Sequence, residues 1–118
     1  MNSVKPQLIK LNKIKKFFNH KNGIIEIFKN VTFQVKPGDL VALVGPSGSG
    51  KSSLLNILAL LDKPTSGKIF LFGKDSSLLR PHDVGEIRRK KISIIFQDNN
   101  LLSDFTAVEN VLMPLIIR

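Results

Sequence analysis

Apolar residues divide the chain into segments of two periods. Leu8-Ile9-Lys10-Leu11 through Phe18 reads as a strand, although its alternation is imperfect. Asn19-His20-Lys21-Asn22-Gly23 is a turn cluster, and Ile24–Val35 returns to strand, with period-two spacing at Val31, Phe33 and Val35. Beyond Pro37-Gly38-Asp39, Leu40-Val41-Ala42-Leu43-Val44 is apolar throughout. Such a run predicts a strand covered on both faces, as in a central parallel sheet, and Ile92-Ser93-Ile94-Ile95-Phe96, ending at Gln97, predicts a second. Leu54, Leu55, Ile57, Leu58 and Leu61 instead follow helical spacing, predicting a buried helix from Lys51 to the break at Asp62-Lys63-Pro64. Pro64-Thr65-Ser66-Gly67 turns the chain into a strand over Lys68–Phe72, closed by Gly73. Residues 74–91 are mixed and polar, with a short helix around Val84–Lys91. Thr106-Ala107-Val108-Glu109 has capping-box spacing and opens a helix carrying Val108, Val111, Leu112 and Leu115, which Pro114 is predicted to kink or end early.

Composition narrows this little. A length of 118 residues suits one domain. No cysteine is present, which excludes disulfides and thiolate metal sites. The longest apolar runs, Leu54–Leu61 and Val111–Ile117, fall well short of a membrane-spanning helix. Net charge is +9, and residues 1–36 hold eight lysines against the single acid Glu26. A second cluster, Arg88-Arg89-Lys90-Lys91, is flanked by Asp83 and Glu86. Basic patches can bind nucleic acid or an anionic membrane surface. Residues 1–36 carry no arginine and no nucleic-acid motif, so we read them as a solvated lysine-rich face and expect no nucleic-acid partner.

The chemistry lies between the first doubly apolar run and the helix. Gly45-Pro46-Ser47-Gly48-Ser49-Gly50-Lys51-Ser52, followed by Ser53, matches G-x-x-x-x-G-K-[ST], the phosphate-binding P-loop. Its glycines let successive backbone N–H groups converge on phosphate oxygens, and the helix N-terminus adds its dipole. Lys51 supplies a charge for the outer phosphates, and the Ser52 hydroxyl can ligate magnesium. A strand running in and an apolar helix running out provide the context this motif needs. The pattern predicts binding of a nucleoside triphosphate.

The flanking residues resemble the nucleotide-binding domain of ABC transporters along nearly the whole chain. Phe33-Gln34-Val35-Lys36-Pro37-Gly38-Asp39-Leu40 is similar to that family's approach to the P-loop, and Leu60-Leu61-Asp62-Lys63-Pro64-Thr65-Ser66-Gly67-Lys68-Ile69 to its GLD-x-PTSG stretch. Gly73-Lys74-Asp75 and Ile95-Phe96-Gln97 resemble the segments that follow, the latter its Q-loop. Residues 100–115 look most like ATPase subunits of lipoprotein-releasing transporters, and next like macrolide-export and cell-division relatives. The resemblance implies an α/β fold: a P-loop NTPase core of the ABC ATPase type with an N-terminal antiparallel β portion. Residues 1–97 would reach from the β portion through the Q-loop, and residues 98–118 would begin a helical subdomain.

The same resemblance implies roles. ATP and Mg2+ would be bound, with Gly45, Pro46, Ser47, Gly48, Ser49, Gly50, Lys51, Ser52 and Ser53 around the phosphates and with Ser52 and Gln97 at the metal. An aromatic residue of the first strand would stack on adenine, Phe18 by its spacing of 13 residues before Val31 or else Phe17; alternatively, both rings fill the core. Partners would be transmembrane subunits and a second ATPase domain, at the cytoplasmic side of the inner membrane. The sequence contains no LSGGQ-type signature, no Walker B acids and no switch histidine, since His20 and His82 both precede Gln97. We therefore expect an N-terminal part that binds Mg-ATP without hydrolysing it, whether a fragment or one half of a split protein. It also follows that Leu40–Val44 should have an open edge. Monophosphate kinases share the G-P-S-G-x-G-K opening but not the later segments, and no N-K-x-D marks a GTPase.

Overall fold

β-Branched and aromatic residues on both sides of a two-residue turn at Lys21-Asn22 make residues 9–35 a hairpin. In the computed structural model, which describes residues 7–117, strand β1 is Ile9–His20 and β2 is Gly23–Val35. They pair antiparallel from His20 opposite Gly23 to Ile9 opposite Val35. The imperfect alternation of β1 has a geometric cause. Its register breaks between Leu11 and Ile14, where Lys13 takes φ 51° and donates its N–H to Thr32 Oγ1 at 2.9 Å. The extra residue resets the phase, so that Leu11, Ile14 and Lys16 are all buried.

Strand β3, Ser66–Leu71, pairs antiparallel with the other side of β1, and β4, Lys74–Asp75, extends the sheet to the order β2-β1-β3-β4. Gly67 permits that approach. It sits at φ 96°, and a Cβ there would lie 2.5 Å from the Lys13 carbonyl oxygen. Helix α1, Lys51–Leu58, covers one face of the sheet, where Leu54 and Ile57 meet Leu11, Ile14, Ile69 and Leu71 in the core. The helix stops short of Leu61. Leu60 turns left-handed at φ 59°, donating to the Ile57 carbonyl (3.1 Å), while Leu61 donates to that of Asn56 (2.9 Å). These two bonds are the Schellman pattern that closes a helix C-terminus.

Helix α2, Pro81–Lys91, begins three residues before Val84 because proline suits the first helical position. Its four terminal basic residues occupy the last turn, where the helix dipole favours cations, and Glu86 pairs with Arg89 and Lys90. Helix α3, Ala107–Ile116, opens on the expected capping box: Glu109 N–H donates to Thr106 Oγ1 (3.2 Å), and Thr106 N–H to Glu109 Oε2 (2.7 Å). Pro114 does not end it; the helix runs on to Ile116.

Two expected elements do not form. Leu40–Val44 and Ile92–Phe96 carry no strand, and Leu40, Val44 and Ile95 are 100%, 88% and 99% exposed. A run covered on both faces becomes a strand only when neighbours ladder with it. Among the described residues, neither run has a ladder partner. No helix of the described residues is long and apolar enough to cross a membrane.

Candidate functional site

The glycine-rich loop meets α1 at Gly50, which caps the helix in a left-handed conformation with φ 90° and ψ 11°. A Cβ at Gly50 would lie 2.7 Å from Ile27 Cγ2 and 2.9 Å from Phe28 Cδ1, so glycine lets the helix start flush against β2. The first intrahelical bond is Leu54 N–H to the Gly50 carbonyl at 2.9 Å. The N–H groups of Lys51, Ser52 and Ser53 precede it, no side chain caps them and no acid occupies the first turn. That end of the helix carries uncompensated partial positive charge.

Lys51 adds a full one. Its Nζ donates to the carbonyls of Gly45 (2.7 Å) and Pro46 (2.6 Å) and to Ser49 Oγ (3.3 Å), so the loop curls around its ammonium. Ser49 N–H closes a turn onto the Pro46 carbonyl at 3.3 Å. Gly45, Pro46, Ser47, Gly48 and Ser49 are exposed, as is Ser52, while Ser53 is half-buried. The uncapped helix start and the Lys51 ammonium at one open loop suit an oxyanion, which would take over the ammonium protons now given to the Gly45 and Pro46 carbonyls.

For a metal, the described residues contain no cluster of three histidine or acidic side chains. Magnesium keeps several waters and takes phosphate oxygens, so one hydroxyl such as Ser52, beside bound phosphates, fits its requirements. Gln97 is exposed in the unpaired segment after α2, and among the described residues no hydrogen bond ties it to the loop. The residues of the glycine-rich loop and Lys51 are thus brought together; among the described residues, no hydrogen bond joins Gln97 to them.

Of the two aromatic candidates, Phe18 is the exposed one, at 45%. Phe17 is half-buried, its N–H donating to Thr65 Oγ1 at 3.0 Å. Neither ring belongs to the buried core. Lys16 Nζ lies 4.7 Å from the Phe18 ring centroid. Lys16 also sits opposite Phe28 in the β1–β2 pair, on the face where α1 begins. Sequence reasoning missed Lys16 and its partner Asp62, whose carboxylate contacts the ammonium at 2.7 Å. The signal was hidden by the bulge, which turns a lysine that reads as exposed to the inside. Hydrogen bonding from Lys16 holds the Asp62 carboxyl below its ordinary value, aided by the Lys63 backbone N–H.

A large open groove lies elsewhere, between α2 and α3. It holds about 1150 Å³, with Ile94, Phe96 and Met113 among its apolar lining and Arg88, Arg89 and Lys90 among its basic lining.

Comparison with known proteins agrees with this geometry. The ABC transporter family pattern matches residues 28–116. MJ0796 of Methanocaldococcus jannaschii, an uncharacterised ABC transporter ATP-binding protein, is 42% identical over 111 residues, covering 94% of this chain and 47% of that protein. The lipoprotein-releasing system ATP-binding protein LolD of Hyphomonas neptunium is 41% identical over 110 residues, covering 93% and 48% respectively. The macrolide export ATP-binding/permease protein MacB of Syntrophobacter fumaroxidans is 44% identical over 108 residues, covering 92% and 15%. Among solved structures, dimeric MJ0796 in a post-hydrolysis state bound to ADP and Pi superimposes with a TM-score of 0.85 at 42% identity, over 92% of this chain and 47% of that one. The chain spans about half the length of MJ0796 and LolD. It belongs to the ABC transporter family, matching the ATP-binding domain.

Proposed function

We propose that the chain holds the phosphates of Mg-ATP for an export ATPase, of the lipoprotein-releasing or macrolide-export kind. The observation that carries this is the loop of residues 45–50 curled around the Lys51 ammonium at the uncapped start of α1. In this reading Ser52 ligates magnesium, Gln97 reaches the metal and its water once the site is complete, and Phe18 stacks on adenine. Similarity to LolD and MacB supports the choice of exported cargo, which the transmembrane partners would select. Those partners would hold the protein at the cytoplasmic face of the membrane, with the basic and apolar groove between α2 and α3 available to them. The two dimeric structures of MJ0796 support a second ATPase domain across the site.

The open runs Leu40–Val44 and Ile92–Phe96 favour a further part to this reading. They would ladder with additional polypeptide carrying the acids that polarise the attacking water, whether in the same chain or a separate one. The 118 residues alone should therefore bind nucleotide without turnover. Titration of this chain with Mg-ATP should show binding that Lys51→Ala weakens about tenfold or more, since charge-assisted hydrogen bonds are lost. Equal affinity of the variant, with an unchanged circular dichroism spectrum, would discard the loop as the site. Steady-state hydrolysis by the 118 residues that vanishes in Lys51→Ala would discard the need for added polypeptide.

A further inference from the structure

Lys16 is a charged side chain in a nearly dry place: the residue is only 7% exposed. An ammonium has three protons to place, and removal from water makes unfilled positions costly. Lys16 Nζ lies 2.8 Å from Asp62 Oδ1, 2.7 Å from Asp62 Oδ2 and 2.8 Å from the Lys63 carbonyl oxygen. Its remaining neighbour is the ring of Phe18, two residues along the same strand, at a distance where a cation attracts an aromatic face. The ammonium lies over part of the ring, and Phe18 as a residue remains 45% exposed.

Asp62 also links distant parts of the fold. The other ion pairs of the described residues join positions no more than four apart, whereas Lys16–Asp62 spans 46. Asp62 follows the C-terminal end of α1, whose N-terminal end carries Lys51. The same connection grips β1 again at Thr65, whose N–H donates to the Lys15 carbonyl (2.8 Å) and whose Oγ1 accepts from Phe17 N–H (3.0 Å) and donates to the Phe17 carbonyl (3.4 Å). The connection leaving the helix that starts at the glycine-rich loop thus clamps the strand just before Phe18.

We propose that Lys16, anchored by Asp62, is a positioning residue that holds the Phe18 ring as a stacking platform for the nucleotide base. This rests on the reading of Phe18 given above. A ring already parked against a fixed cation loses less freedom when a base stacks on it. The cation also draws electron density from the ring, which favours contact between the opposite face and an electron-rich purine.

The test uses the 118-residue chain with two ligands, Mg-ATP and inorganic triphosphate, which has the phosphates but no base. Phe18→Ala should weaken Mg-ATP binding about tenfold and leave triphosphate unchanged. Lys16→Met should weaken Mg-ATP about threefold to tenfold, again without effect on triphosphate. In the Phe18→Ala background it should add less than about twofold, because the two act as one unit. Lys16→Arg should restore base-dependent binding, since a guanidinium both pairs with carboxylate and stacks. If Lys16→Met loses its circular dichroism signal, Asp62→Ala carries the same test, because the lysine remains but loses its anchor. Equal losses for both ligands, no loss for Mg-ATP, or full additivity with Phe18→Ala would overturn the proposal. If Phe18→Ala itself shows no base-selective loss, the stacking reading falls and takes this one with it. If Phe18→Ala discriminates and Lys16→Met does not, only the role of Lys16 falls.

Discussion

The Lys16–Asp62 pair makes a pH-dependent contribution whose sign follows from its chemistry. Asp62 titrates below its ordinary 3.8 in the folded chain, chiefly because the Lys16 ammonium donates to it. A carboxyl with a lowered folded value stabilises fully above the unfolded value and loses that contribution as pH falls through the folded one. Unfolding free energies of the native chain and Asp62→Asn from urea titrations should therefore differ by about 1 kcal/mol at pH 6, a modest figure because the carboxylate side is partly solvated. The gap should narrow once pH falls below the ordinary value of 3.8 and vanish when the folded carboxyl is protonated. A gap that persists unchanged at low pH would mean the pair is not its source. Residue by residue, the glycine-rich turn into α1 was legible because its spelling encodes local backbone geometry. Lys16 was not, because its burial depends on a register break produced by Lys13 and Thr32 from two different strands.

Elements follow the same division. The start of α3 was readable at Thr106 and Glu109, three residues apart, because a capping box is wholly local. Thr106→Ala should cost about 1 kcal/mol and speed amide exchange at Glu109; unchanged exchange there would show that the cap does not hold the first turn. Asn110 was not anticipated. Its side chain accepts from Leu102 N–H (2.8 Å) and donates to the carbonyls of Leu102, Phe105 and Thr106, fastening the preceding loop onto α3. The end of α1 was misjudged because Leu61 continues the helical spacing, while Leu60 at φ 59° breaks the backbone. Apolar spacing reports which side of a helix is buried, not where its hydrogen bonds stop.

At the scale of the molecule, buried area is the deciding quantity. The accessible surface is 9564 Å², against about 6400 Å² for a compact monomer of this mass. The radius of gyration is 16.7 Å, against about 13.5 Å for a compact domain of this length. The excess is consistent with open faces around Leu40–Val44 and Ile92–Phe96, which are apolar and unladdered. Such edges pair with whatever strand they meet. The 118-residue chain should self-associate in sedimentation velocity at about 100 μM, and the double variant Leu40→Lys with Ile95→Lys should shift it toward monomer. A strictly monomeric native chain would show these runs to be shielded in solution.

By itself the sequence determined the glycine-rich loop before α1, the hairpin, the capped helix and the family, because each is written in short-range spacing and residue type. Tertiary structure alone decided which lysine is buried, which phenylalanine is exposed and which apolar runs become strands. Those outcomes depend on partners far away in the chain: Asp62 for Lys16, and laddering neighbours for Leu40–Val44 and Ile92–Phe96. A strand buried on both faces is a property of the sheet around it, and the described residues supply that sheet only for β1 to β4.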